Sequence, residues 1–288
     1  DRAAIENDMN NAFNGYSSAK SLGRQKLLNE YPGADAAYSV RQINSNYSGP
    51  IMRVDNGYTE VDIYPLVNGD LDTESIIQHA KVNTITKDAG VSVWYDQSGN
   101  GNDAAQATNA NQPLICDNGV IIYENGKPAV KFDGSNDSFD TNWSAGEASA
   151  LTSFNVASPI NNTGSSQLYD LRDSNNDGIR LIMFSDSDLF YSASANDLRA
   201  TAYVSGQQLI FSNYANSTIS TAIDGASTDT GSAPVSTSVT ANATLFKDRG
   251  DTFYFNGKAQ EVIFYLSDES DNRTGIETNI NTFYNIYS

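Results

Sequence analysis

From Ala36 onward the chain is a succession of short apolar runs, each bounded by clusters of Gly, Asn, Asp and Ser. Examples are "AYSVRQI", "VSVWY", "PAVKF" and "QEVIFYL". Short runs of β-branched and aromatic residues between turn-forming clusters are typical of antiparallel strands rather than of βαβ units. The pattern therefore predicts an all-β fold in which two sheets form a sandwich around one core.

Three segments carry a helical pattern instead. They are 17–31, 71–81 and 271–285, and the last is predicted to close the domain by packing onto a sheet. Asp72 or Thr73 can cap the second helix, and the Ser267–Asp268 region supplies caps for the third. The apolar stripes of the three are Leu22, Leu27 and Leu28; Ile76, Ile77 and Ala80; and Ile276, Ile280 and Phe283.

The two ends of the sequence resemble each other. "DRAAIENDMNNAFN" (1–14) aligns with "NRTGIETNINTFYN" (272–285), and both contain the pattern R-x-x-I-E. One explanation is coincidence between two polar amphipathic helices. We favour the other, in which 1–14 is the closing helix of a preceding related module in a tandem array. Residues 15–35 would then connect it to a sandwich domain over 36–288.

The segment "WYDQSGNGN" joins two aromatic residues to a dense cluster of turn-forming residues. Glycine permits positive φ angles, and Asp or Ser side chains accept backbone N–H bonds within a turn. We interpret the segment as a structural turn, with direct ligand contact as the alternative. The residues concerned are Trp94, Asp96, Ser98, Gly99, Asn100, Gly101 and Asn102.

The charge of the chain excludes several classes of partner. Lys and Arg total 17 against 35 Asp and Glu, which gives a net charge of −18. Such an excess repels phosphate backbones and anionic lipid, so we expect no nucleic acid and no membrane insertion. Cys116 is the single cysteine, which excludes an intrachain disulfide, and His79 is the single histidine. A Ser-His-Asp device would need His79, which lies within the predicted helix 71–81.

Three stretches carry a family resemblance: "AAYSVRQINSNYSGPIMRV", "GDLDTESI" and "VSVWYDQSGNGNDAAQATNANQPLI". They resemble the start of the alpha-L-arabinofuranosidase B catalytic domain, and "ENGKPAVKFDGSND" resembles the broader concanavalin A-like lectin/glucanase, or laminin-G-like, class. Related domains occur in phage virion and bacterial surface proteins. The resemblance implies a two-sheet antiparallel jelly-roll sandwich with a few peripheral helices.

The resemblance also implies where catalytic carboxylates would lie. Retaining glycosidases need a nucleophile and an acid/base roughly 5 Å apart. As aligned, the family's nucleophile falls in 206–225, which contains no Glu, and its acid/base falls at Asp248 or Asp251. Phe255 replaces a further glutamate of the family motif. With one carboxylate of the pair missing, we expect the chain to lack glycosidase activity.

A calcium loop is a second candidate site. In "DSNNDGIR", oxygen ligands recur at alternate positions before a glycine, as in the first half of an EF-hand loop. The alternative is a β-hairpin turn that needs no metal. The ligands would be Asp173, Asn175, Asp177 and the backbone carbonyl of Ile179. Calcium is the only cofactor that the sequence indicates.

Tyrosines beside polar loops are candidate sugar platforms, because flat aromatic faces pack on sugar C–H surfaces. The candidates are Tyr169, Tyr191 and Tyr214. These observations predict a non-catalytic, carbohydrate-recognising adhesion module, most simply of a phage virion, at the virion or cell surface. Its partners would be a neutral cell-surface glycan and neighbouring modules of the same assembly. The alternatives are a retaining arabinofuranosidase and a purely structural capsid or fibre module.

Overall fold

The computed structural model of the protein describes residues 25–83, 85–160, 165–173, 175–183, 188–193, 196–200, 206–233, 237–239 and 241–288. The predicted helix over 1–14 lies outside these residues, as does most of the predicted helix over 17–31. Three α-helices occur in the described part of the chain: α1 (Leu27–Glu30), α2 (Thr73–Ala80) and α3 (Arg273–Tyr284). A 3-10 turn spans Asn109–Asn111.

The protein is an antiparallel two-sheet sandwich, as the strand pattern predicts. Strands are numbered in chain order, and each layer is given from one edge to the other. The first layer consists of β1 (Ala36–Ser39) and β12 (Val130–Asp133), which share one edge of β25 (Asn256–Tyr265), then β15 (Ala150–Pro159), β20 (Gln208–Ala215), β21 (Thr218–Ile223) and β22 (Asp229–Ser232). The second consists of β7 (Ala104–Ala105), β13 (Phe139–Thr141), β24 (Thr244–Leu245), β16 (Ser166–Asp170), β17 (Ile179–Met183), β18 (Leu189–Ala193) and β19 (Asn196–Ala200).

The two layers are joined through β6 (Ala89–Trp94), which pairs with β2 (Met52–Asp55), with β7 and with β8 (Leu114–Asp117). In turn, β2 pairs with β3 (Glu60–Ile63), and β8 pairs with β9 (Val120–Ile121) and β12. Separate two-stranded pairs are β4 (Lys81–Val82) with β5 (Ile85–Thr86), β10 (Tyr123–Glu124) with β11 (Lys127–Pro128), and β14 (Gly146–Ala148) with β23 (Thr237–Val239).

The core lies between the layers and is rich in aromatic rings. The Trp94 ring stacks 6.4 Å from that of Phe246, and the Phe132 and Phe246 ring centroids are 4.1 Å apart. All three side chains are fully buried. Burying large aromatic side chains is the main source of stability in a fold of this size. The single cysteine, Cys116, is free and buried in this core, so no disulfide contributes to its stability.

The two longer helices form where the sequence predicts them. Asp72 caps α2 by accepting the N–H of Ser75 at 3.1 Å, and Ile76 and Ala80 face the core. The closing helix α3 docks through Tyr284, whose hydroxyl donates to Glu261 at 3.0 Å on β25. In contrast to the prediction, its first turn follows Asn272 rather than the 267–268 region, and Asn272 makes no side-chain cap bond.

The mostly polar stretch 224–242 contributes β22 and β23 to sheets, and those of its residues with a described burial are exposed or half-buried. In the run "TFYF", Tyr254 forms only an isolated bridge with Lys247 before β25 begins at Asn256. In the described part of the chain, no helix is both long and apolar enough to cross a membrane.

Candidate functional site

The turn after Trp94 is organised by Asp96. Its buried carboxylate accepts the backbone N–H groups of Ala37 at 2.8 Å, Ser98 at 2.8 Å and Asn102 at 3.0 Å. Gly99 and Gly101 adopt φ angles of +98° and +76°, which side-chain-bearing residues resist. Asp96 thus directs its acceptors to backbone groups rather than to solvent.

The asparagines of this turn bind the start of the first strand. Asn100 donates to the carbonyls of Ala34 and Asp35 at 3.2 and 3.1 Å, and Asn102 donates to Asp35 at 2.7 Å. These amides are therefore engaged within the protein. The geometry gives the turn a structural role, joining β6 to the approach of β1.

The three predicted tyrosine platforms are wrong. Tyr169, Tyr191 and Tyr214 have no exposed surface. The Tyr169 hydroxyl contacts Ser153 at 3.2 Å, and its ring centroid lies 5.0 Å from that of Phe264 in the opposite layer. Alternate residues of a strand face opposite sides, and these positions face the interior of the sandwich. The position of a tyrosine beside a polar loop in the sequence therefore does not determine whether its side chain points into the core or to the solvent.

The predicted calcium loop forms the connection between β16 and β17. Asp173 Oδ1 accepts the N–H groups of Asn175 at 2.8 Å and Asp177 at 3.0 Å, so this carboxylate closes the turn itself. Within the described residues, no group of three or more His, Cys, Asp or Glu side chains is placed to hold a metal. The predicted set contains only two such residues with Asn175 and the Ile179 carbonyl, and calcium binding stays a prediction.

Of the two aspartates at the family's acid/base position, Asp248 is used by the backbone. It is buried, and its Oδ1 accepts the N–H groups of Thr252 at 2.6 Å and Phe253 at 2.8 Å. Phe255, at the position of the family's further glutamate, is fully buried against Phe132 with ring centroids 5.6 Å apart. Neither side chain is available to a ligand.

Asp251, by contrast, faces an open cleft of about 490 Å³. Its side chain is 61% exposed, and its Oδ1 lies 3.0 Å from the ammonium of Lys247. That same ammonium lies 3.0 Å from Oδ1 of Asp140, whose side chain is 63% exposed. Because both oxygens are 3.0 Å from one nitrogen, they are at most about 6 Å apart. Two accessible carboxylates therefore lie at most about 6 Å apart, a range that includes the separation of about 5–5.5 Å found in retaining glycosidases.

Strand pairing brings the two carboxylates together. Asp140 is the outward-facing residue of β13, between buried Phe139 and Thr141, and it pairs with Thr244 on β24. The chain then continues to Lys247, which bridges back to Tyr254 and so encloses the turn that carries Asp251. The cleft is lined by Asp140, Thr141, Asn242, Ala243, Thr244, Lys247, Arg249 and Asp251.

The charges of the cleft balance locally. Burial lowers the pKa of Lys247, but its hydrogen bonds to Asp140 and Asp251 outweigh that effect and raise the pKa. A protonated Lys247 holds the two carboxyl groups near each other, while Asn242 and Thr244 add neutral hydrogen-bonding groups at the wall. This composition suits a ligand rich in hydroxyl groups.

Asp140 is not among the site residues that the sequence predicts. Its strand gives the alternation "FDT" with the aspartate outward, but nothing near it in the sequence indicates that β24 and its turn will lie beside it. Only an inventory of outward-facing carboxylates on strands predicted to pair could have found it. By contrast, the single histidine, His79, is in α2, with Nε2 2.9 Å from the Thr59 carbonyl, away from this cleft.

The prediction of a non-catalytic adhesion module of a virion is wrong. It assumed that a second carboxylate is missing, whereas the exposed Asp140 lies beside Asp251, in contact with the same Lys247. Two solved structures that share the fold are, in addition, arabinofuranosidases.

No known family profile matches the sequence, and no curated protein matches it either. Among solved structures, an arabinofuranosidase complexed with arabinofuranosyl-alpha-1,2-xylobiose aligns with a TM-score of 0.66 at 17% identity, over 89% of this chain and 64% of that one. A glycoside hydrolase family 54 alpha-L-arabinofuranosidase soaked with a cyclic sulfate inhibitor aligns with a TM-score of 0.63 at 15% identity, with the same two coverages, 89% and 64%. The chain thus spans less than two thirds of the length of these structures. At this level of identity the likeness shows a shared β-sandwich fold.

Proposed function

We propose that the chain is a retaining glycoside hydrolase that releases arabinofuranosyl units from a neutral polysaccharide, with Asp140 and Asp251 as its two carboxylates. The observation that carries the proposal is their shared contact with Lys247 in an open cleft. The arabinofuranosidase-like fold supports the choice of sugar. An extracellular location belongs to the proposal, because polysaccharides of this kind lie outside cells.

The proposed reaction is a double displacement. In the first step Asp140 attacks the anomeric carbon and forms an ester with the sugar, while the glycosidic C–O bond breaks and Asp251 gives its proton to the departing oxygen. In the second step water attacks the same carbon, Asp251 takes a proton from that water, and the ester bond to Asp140 breaks. The sugar leaves with its original anomeric configuration, and both carboxyl groups return to their initial states.

The assignment of roles follows from position. Asp251 lies on the turn enclosed by the bridge between Lys247 and Tyr254, which corresponds to the acid/base segment of the resembling family. Asp140 is fixed by hydrogen-bonded neighbours on both sides, β7 and β24. A nucleophile benefits from such fixed positioning, since the reacting atoms must be held in near-attack geometry.

Initial rates on 4-nitrophenyl alpha-L-arabinofuranoside test the proposal. We expect the unaltered protein to release 4-nitrophenol, and both Asp140→Asn and Asp251→Asn to lower kcat/KM by about 10²–10⁴-fold. The matched control is Asp117→Asn, because Asp117 is a similarly exposed aspartate that pairs with a lysine, Lys131, outside the cleft. Absence of hydrolysis by the unaltered protein, or full activity in both variants, would reject the assignment.

Added azide separates the two roles. With Asp140→Ala, azide should replace the missing nucleophile and give a glycosyl azide of inverted configuration. With Asp251→Ala, azide should instead attack the ester formed on Asp140 and give a product of retained configuration. The opposite pairing of products would exchange the roles of the two residues.

A further inference from the structure

A second cavity of about 390 Å³ lies beside the proposed catalytic cleft. The residues that matter for its chemistry are Asp55, Lys87, Asn109, Gln112, Asp133 and Asp137. Its wall therefore combines carboxylates, amides and one ammonium with the backbone of Gly57 and Gly90. None of these residues takes part in the chemistry proposed at Asp140 and Asp251.

The polar groups of this second cavity are held in place before any ligand arrives. Gln112 is buried, and its Nε2 donates to the Gln106 carbonyl at 3.1 Å. Asn109 donates to Asp55 at 3.1 Å. A Cβ at Gly90 would lie 2.6 Å from Oε1 of Gln112, so a larger residue there would displace this amide. Fixed polar groups reduce the ordering cost of binding.

An exposed aromatic ring stands at the rim. Tyr58 is 69% exposed and follows Gly57, which lines the cavity. The Lys87 ammonium lies 5.6 Å from the centroid of the Tyr58 ring, so the ring adjoins a second lining residue as well. An aromatic face next to carboxylate and amide groups offers both a surface for sugar C–H groups and partners for sugar hydroxyls.

The second cavity is close to the cleft. Asp137 lines the cavity and Asp140 lines the cleft, and they are three residues apart on one segment. Because consecutive Cα atoms are about 3.8 Å apart, the two Cα atoms are separated by at most about 11 Å. A cross-strand contact, Gln106 Nε2 to the Ser138 carbonyl at 3.2 Å, lies between them. An oligosaccharide of a few units can reach from one to the other.

We propose that the second cavity binds a neutral sugar unit of the same polysaccharide whose arabinofuranosyl branch is cleaved at Asp140 and Asp251. The inference rests on the proposed function and deepens it, since it makes the substrate a polymer rather than a small arabinoside. Tyr58 packs on the sugar ring, and the carboxylates and amides of Asp55, Asn109 and Asp137 accept and donate hydrogen bonds to its hydroxyls.

Affinity electrophoresis through gels containing arabinoxylan measures this binding directly. The background is Asp251→Asn, so that the polymer is not consumed during the run. Two variants are compared on it: Ala110→Trp, which fills the exposed cavity wall, and Tyr58→Ala, which removes the exposed ring. We expect each variant to raise the dissociation constant for arabinoxylan by about tenfold, which corresponds to the loss of one modest contact. Tyr123→Ala is the matched control, because Tyr123 is exposed on a separate hairpin.

Kinetics on two substrates provide the second readout. In the otherwise unaltered protein, both variants should lower kcat/KM on arabinoxylan by about tenfold more than on 4-nitrophenyl alpha-L-arabinofuranoside. If the protein cleaves the small substrate but both variants migrate and react like Tyr123→Ala, the inference is overturned and the proposed function stands. If it cleaves neither substrate yet migration depends on Ala110 and Tyr58, the proposed function fails and sugar binding at the cavity stands. Unretarded migration of the background variant overturns the inference.

Discussion

At the scale of a single residue, the pKa of Asp137 is raised by burial, and this shift can be tested by experiment. Burial, followed by repulsion from Asp133, raises its pKa from 3.8 to about 7, although the Asp133 backbone N–H and Lys131 act in the opposite direction. The folded protein therefore holds this proton more tightly than the unfolded chain does. Its contribution to stability is complete below about pH 4 and is lost as the pH rises through about 7.

Asp137→Asn should remove that loss, because an amide does not ionise and can still accept the Asp133 N–H now bonded at 2.9 Å. We expect the variant to be more stable than the unaltered protein at pH 8, by up to about 4 kcal/mol, and nearly equal to it at pH 4. Urea denaturation of both proteins at the two pH values measures the difference. A variant equally stabilised or destabilised at both values would show that Asp137 titrates normally.

Individual site residues are hard to predict because the direction in which a side chain points depends on the folded strand. Tyr169 and Asp140 are both on strands next to polar segments, yet one faces the interior and the other the cleft. The facing of a residue depends on the register of its strand, and a shift by one residue reverses it. Asp248 and Asp251 are equally close to the family's acid/base position, and only the folded structure, through burial and hydrogen bonding, distinguishes them.

At the scale of an element, the turn held by Asp96 should be a large contributor to stability. Asp96→Ala leaves the buried N–H group of Ala37 and the half-buried N–H groups of Ser98 and Asn102 without their acceptor. A buried group without a partner costs about 1–3 kcal/mol and a half-buried one less, so we expect a loss of about 2 kcal/mol or more in the free energy of unfolding. Chemical denaturation measures it. Asp96→Asn, which keeps one acceptor oxygen, should lose less, and equal losses in the two variants would contradict this account of the turn.

Elements were predicted well where local chemistry decides them. The helix α2 has its cap and apolar stripe within a few residues, and the "WYDQSGNGN" turn contains its own acceptor and glycines. The strands β22 and β23 have no such local signal, because their residues are mostly small and polar and only pairing with β21 and β14 makes them strands. Pairing partners distant in sequence leave no local signal.

At the scale of the whole molecule, the net charge of −18 opposes folding. The compact state concentrates like charges, and salt screens their repulsion over a Debye length of about 30 Å at 0.01 M and about 10 Å at 0.1 M. We expect the thermal midpoint to rise by about 2–4 °C between these sodium chloride concentrations, corresponding to roughly 1 kcal/mol. Thermal melting followed by circular dichroism measures it. A midpoint that falls with salt would mean that favourable ion pairs outweigh the general repulsion.

The overall fold could be predicted because many short strands and turns each indicate an antiparallel sandwich. An error at one element therefore does not change the predicted fold class. The proposed site could not, because it depends on one contact between β13 and the turn after β24. Counting carboxylates within one aligned segment gave the wrong function. The second carboxylate comes from a different strand, and it is adjacent only in the folded chain.

The stereochemistry of the first-formed product tests the pairing of Asp140 and Asp251 most directly. In reactions of 4-nitrophenyl alpha-L-arabinofuranoside containing methanol, proton NMR identifies the anomer of the methyl arabinofuranoside before it can rearrange. Carboxylate oxygens at most about 6 Å apart leave no room for the water that inverting enzymes place between their carboxyl groups, so we expect the methyl alpha-L-arabinofuranoside. Formation of the beta anomer, or no reaction of the folded protein, would contradict it.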